Sequence, residues 1–151
     1  MAKDRKHRTY KPRLVSVPRI INFVSVADAR PDIKLLFHAA VMAFTVQPTV
    51  ATCNQISAHL CKIAGAMSLA NNGAPIQDQR DAGSLAICAA INLIEMIGDR
   101  YSRSEQVSIT PVEAEILRRC AGKLDAVLSR IPATCYDKAE TEVIGLVGVA
   151  A

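Results

Sequence analysis

Between Pro31 and Pro132 apolar side chains recur at helical spacing, and each such segment is bounded by residues that start or stop helices. An α-helix repeats about every 3.6 residues, so positions three and four apart share a face, and an apolar stripe marks the side to be buried. The spacing predicts a first helix from about Pro31 to Val46, ahead of Pro48, with Ile33, Phe37, Ala40, Val41 and Phe44 on one face. A second follows Pro48 and Thr49 and carries Ile56, Leu60, Ile63, Ala64, Met67 and Ala70. It ends at Asn71-Asn72-Gly73, where Asn and Gly tolerate the left-handed backbone that closes many helices.

A third helix is expected to begin between Ile76 and Asp81 and to reach about Tyr101. From Ala82 to Ile94 it carries no charge, which predicts the most buried element of the fold, with Asn92 in need of a buried partner or a groove. A fourth opens on Thr110-Pro111-Val112-Glu113, an N-cap, a proline at the first helical position and a Glu placed to return to the cap. Ile116, Leu117, Cys120, Leu124, Val127, Leu128 and Ile131 follow its period to Pro132, and Glu115 and Arg119 stand four apart on its other side. A short last helix from about Thr134 to Val143 fits the remaining pattern. The expected fold is all-α, an antiparallel bundle of about four main helices. Composition agrees: half the chain is hydrophobic, only 4% is aromatic and Trp is absent, so the core rests on aliphatic, Ala and Cys side chains that suit close helix packing.

The charge is divided unevenly. Residues 1–19 hold Lys3, Arg5, Lys6, Arg8, Lys11, Arg13 and Arg19 against Asp4 alone, a net +6, whereas residues 20–151 hold 11 basic and 13 acidic side chains, a net −2. We therefore expect a basic, mostly extended arm over 1–19 and a single helical domain over 20–151. Pro12 and Pro18 deny the arm a continuous helix. Leu14, Val15, Val17, Ile20, Ile21, Phe23, Val24 and Val26 are open to one or two short strands or to lying on the helical body. Five cysteines, an odd number thinly spread, argue against a disulfide framework and for reduced thiols inside a cell. The apolar run Val143 to Ala151 has about half the length needed to cross a bilayer and reads as a docked tail or a frayed end. No membrane partner is expected, and the setting is cytoplasmic.

The chain offers little catalytic chemistry. Neither of the common glycine-rich phosphate loops occurs, and Asn72-Gly73-Ala74-Pro75 is explained as a turn. Cys53, His59 and Cys61, with His38 on the preceding helix, come nearest to a metal set, but His59 and Cys61 are two apart and point to different sides of a helix. His7 reads as a solvated arm residue and His38 as a half-buried imidazole. Glu95 and Asp99 read as a solvated helix rim, and Asp78 and Asp81 as complements to a helix dipole. No catalytic residue, metal or cofactor is expected.

The arm is the remaining candidate. Lys3, Arg5, Lys6, Arg8, Lys11 and Arg13 can each meet a phosphate, and Tyr10 stands between Arg8 and Lys11 where it can stack on a base. An acidic protein surface would attract the same charges. The run Lys6-His7-Arg8-Thr9-Tyr10-Lys11-Pro12-Arg13, ahead of an all-helical body, resembles small accessory proteins of unassigned role encoded in phages and prophages of Gram-negative bacteria. The resemblance covers about ten residues and the helical layout, and it implies a protein whose job is to bind something. The leading expectation is a non-enzymatic, phage-type accessory protein that binds a macromolecular partner, as an inhibitor of a host or defence factor would. The alternatives are a nucleic-acid-binding protein that uses the arm, and a homo-oligomeric structural or assembly protein.

Overall fold

The computed structural model describes residues 23–149, with side chains to Gly145. The segments are α1 (Val26–Ala29), α2 (Asp32–Val46), α3 (Val50–Ala70), a 3-10 turn at Ile76–Asp78, α4 (Ala82–Ser104), α5 (Pro111–Leu128) and α6 (Ala133–Val149). The described residues are all-α, as the periodicity predicts. Both α3 and α5 pack on α2 and on α4, which sets α2 and α4 on one diagonal of a four-helix arrangement. Helix α6 lies along α3, so α3 is covered from three sides. One apolar core unites the helices, with Phe37, Phe44, Ile56, Leu60, Ile63, Ile87, Ile97, Leu117, Leu124 and Tyr136 among its fully buried members.

Helix ends follow local chemistry. Thr49 and Thr52 form a reciprocal cap on α3, and Asn72 (φ 56°) and Gly73 (φ 82°) close it in the left-handed region. Asp81 caps α4: Ser84 donates its backbone N–H to Oδ1 at 3.0 Å and its hydroxyl to Oδ2 at 2.6 Å. Those two bonds and Arg130, 3.0 Å away, hold the Asp81 carboxyl well below the usual carboxylate range. Next to this cap α4 and α5 touch without room to spare, because a Cβ at Gly83 would lie 2.5 Å from Val127 Cγ2. The other end of α4 runs past Tyr101 to Ser104 and closes on Glu105 at φ 56°, a conformation that Gly or Asn signals in sequence and Glu does not.

Two expectations about the helices are revised. The last helix is long rather than short, and its backbone remains helical to Val149. Its residues Tyr136 and Ala139 are buried, and Ala139 meets α3 at Gly65, which allows the approach. Arg30 reaches Glu140 (3.4 Å), Asp137 (3.9 Å) and Asp32 (3.3 Å), and Lys62 reaches Glu140 (3.7 Å), which ties α6 to the start of α2 and to α3. Helix α4, expected to be the most buried element, turns Ala82, Leu85, Ala89, Asn92, Met96 and Asp99 outward. Among the described residues α3, α5 and the 3-10 turn pack on it while α6 lies on α3, and Asn92 meets solvent instead of a buried partner. This helix is long and apolar enough to cross a membrane, with a mean hydropathy of 1.4 over its 18-residue window, of which 39% is buried here.

Residues before α1 meet the corner between α5 and α6. Val26 N–H donates to the Ile131 carbonyl at 2.9 Å and Ala133 N–H to the Val24 carbonyl at 2.8 Å, forming one antiparallel bridge between Ser25 and Pro132. Val26 is buried and begins α1, whereas Phe23 and Val24 are exposed, so this piece makes a single bridge on the helical body and no strand; residues 14–22 lie outside the described residues.

The strongest polar joint links α4 to α5. Thr110 and Glu113 form the reciprocal cap that the sequence signals, and Glu113 also accepts both Arg100 nitrogens, Nη1 at 2.8 Å and Nη2 at 2.9 Å. Arg100 Nη2 donates in addition to the Ser108 carbonyl at 3.1 Å, which fixes the loop between the two helices. The Arg100 bonds lower the Glu113 pKa, with a smaller contribution from the Thr110 N–H, and Glu113 raises that of Arg100. Replacing Glu113→Ala removes the cap partner and leaves Arg100 without its anion, so denaturant unfolding should register a loss of about 2–3 kcal/mol. An Arg100→Ala variant should lose a similar amount, and the double variant less than the sum.

Candidate interaction face

Helix α2 has two apolar sides. The inward one holds Ile33, Phe37, Ala40, Val41 and Phe44, all buried, as the spacing predicts. The outward one holds Leu35, Leu36, Ala39, Met42, Ala43 and Val46, all exposed. Leu35 is 70% exposed, Leu36 51%, Met42 59% and Val46 80%, values that place a stripe of large apolar side chains in water. Leu35, Ala39, Met42 and Val46 are spaced four, three and four apart, the alternation of a helix seam that packs against another helix.

This stripe is also uncharged. No Asp, Glu, Lys or Arg occurs between Lys34 and Lys62, which takes in nearly all of α2 and the first half of α3. At the C-terminal end of α2, Met42, Ala43, Val46, Gln47, Thr49 and Thr52 line an open groove of about 450 Å³. The rim is polar: Lys34 pairs with Asp125 of α5 at 3.4 Å, and Gln47 and Thr49 border the other end. An apolar centre inside a polar border is the anatomy of a protein-binding patch. The buried face of α2 alone accounts for its helical spacing, so the second stripe does not stand out in the sequence. The signal that finds it is the absence of charge on the side of a surface helix that should carry it.

The residues singled out earlier fall in several places. Lys3, Arg5, Lys6, Arg8, Tyr10, Lys11 and Arg13, like His7, lie outside the described residues. Glu95 and Asp99 are exposed on α4, and Arg119 pairs with Glu115 at 3.5 Å on α5. Cys53 is half-buried and Cys61 exposed, and among the described residues no three His, Cys, Asp or Glu side chains converge to hold a metal ion. Burial pushes the Cys120 thiol up to about 12 and raises Cys53 and Cys88, the opposite of what thiolate nucleophiles require. A smaller cavity of about 190 Å³ lies beside Met67, Gln79, Asp81, Val127 and Arg130, where Asp81 and Arg130 already neutralise each other.

His59 lies beneath the α2 patch. Its ring meets Phe37 edge-on with centroids 6.2 Å apart, and Nδ1 is buried without a hydrogen-bond partner among the described residues. Desolvation lowers its pKa from 6.5, Lys62 adds to the effect, and Glu140 opposes it. No protein-family model, curated protein or solved structure matches the chain.

The His59 shift has a definite sign in stability. Its folded pKa lies below the unfolded value, so acidification through the unfolded pKa near 6.5 protonates the unfolded chain first and destabilises the fold. The melting temperature should fall as pH is lowered from neutral through this range. His59→Gln should flatten that dependence, and a variant with the wild-type slope would place the titration elsewhere.

Proposed function

We propose that this chain is a non-enzymatic accessory protein of the phage-encoded kind, acting inside a cell by binding a protein partner through the outward face of α2. The observation that carries this reading is the exposed, uncharged stripe of Leu35, Leu36, Met42 and Val46. Isolated apolar residues on a surface are ordinary, but a contiguous row on one helix is costly in water unless something covers it. The basic N-terminal charge supports a second role for residues 1–19, drawing in an acidic partner and speeding encounter more than it strengthens the complex. Blocking a host or defence factor by occupying its surface is one way such a protein would act.

The α2 reading is tested with Leu35→Glu and Met42→Glu combined in the full chain, beside Met96→Glu on the outward side of α4. Because these side chains lie outside the core, each variant should keep its stability within about 0.5 kcal/mol per substitution. Proteins retained from the cells that make this chain should be lost with the α2 variant and kept with the α4 variant. Equal retention by all three would remove α2 as the binding face.

A second reading, nucleic-acid binding by the arm, is favoured by the +6 charge of residues 1–19 and by Tyr10 among the cations. Neutralising Lys3, Arg5, Lys6, Arg8, Lys11 and Arg13 to Gln in the full chain should then abolish binding to mixed-sequence DNA and RNA, and binding by the wild type should fall steeply with salt. No detectable binding by the wild type at low salt would exclude this reading.

A further inference from the structure

We infer that the partner covering the outward face of α2 is a second copy of this chain, packed antiparallel on its own α2 about a two-fold axis; this rests on the reading of α2 as the binding face. The seam is complementary to itself. In an antiparallel pair centred between Ala40 and Val41, Leu35 stands opposite Val46 of the second copy, and Ala39 opposite Met42, so each larger side chain meets one it can pack beside. Leu35 and Leu36 then point toward the groove formed by Met42, Ala43, Val46, Gln47, Thr49 and Thr52 of the other copy.

Charge agrees with this geometry. An isologous interface brings every charge against its own kind or its symmetry mate, and between Leu35 and Val46 there is none to repel or to be stripped of water. Lys34, at the edge, is already paired with Asp125. The exposed fractions along the stripe leave on the order of 600 Å² of each copy in water, so a pair buries at most about 1,200 Å², the lower edge of the range for specific interfaces. The outward stripe of α4 fits a second copy less well, because Asn92, Glu95 and Asp99 would lose water on burial.

Sedimentation equilibrium of the full chain across micromolar concentrations tests this. Reversible dimerisation, from 16.2 kDa to twice that mass, is expected. Leu35→Lys and Val46→Glu should each weaken the dimer by at least about tenfold, because each buries an unpaired charge in an apolar contact. The double variant, whose introduced charges face each other twice across the axis, should restore it, which simple loss of an apolar contact would not do. A monomer at every concentration overturns self-association; if α2-dependent capture of another protein persists, the binding-face reading stands while the second copy is excluded. A dimer indifferent to both α2 substitutions but broken by Met96→Glu places the interface on α4 and also overturns the proposal.

Discussion

The coverage of α3 from three sides is the constraint on which the rest of the bundle depends. Ile56, Leu60, Ile63, Ala66 and Met67 are all buried, and they meet α2, α4 and α6 rather than a single neighbour. A helix can serve three partners only if its small residues let some of them approach closely, and Gly65, with a would-be Cβ 3.3 Å from Ala139, supplies this toward α6. Once α6 is committed to α3, no helix among the described residues remains to cover the far sides of α2 and α4. The two outward apolar stripes are consequences of how the last helix docks.

Polar interactions act at the ends of helices, where backbone groups lack helical partners. Asp81 with Ser84 and Arg130 fixes one end of the α4–α5 pair, and Glu113 with Thr110 and Arg100 fixes the other. Each joint serves a cap and an ion pair with the same carboxylate, so local helix initiation and helix-to-helix placement are coupled. The Arg30, Lys62 and Glu140 cluster does the corresponding work for α6. These pairs set register; the energy that holds the helices together comes from the aliphatic core, because partly exposed ion pairs contribute little on their own.

The outward face of α2 differs from that of α4 in what its burial would cost. Covering Leu35, Ala39, Met42 and Val46 removes only apolar surface from water, whereas covering Asn92, Glu95 and Asp99 desolvates polar groups as well. Burial of the α2 face is therefore the less costly of the two. His59, packed under α2 with an unpartnered nitrogen, adds a pH-sensitive element behind the same face.

The sequence by itself determined the helices and most of their ends, because these are local properties: proline placement, the Thr110 to Glu113 cap, the Asn72-Gly73 turn, and apolar spacing along α2, α3 and α5. It also determined the concentration of basic charge in residues 1–19. It could not reveal the left-handed closure at Glu105, the length of α6, or the outward side of α4, where Ala82 and Ala89 suit a core and a surface alike. Only the tertiary structure shows that a second apolar stripe on α2 is left uncovered among the described residues. Local periodicity makes a helix side suitable for burial, but the number and placement of neighbouring helices determine whether anything covers it.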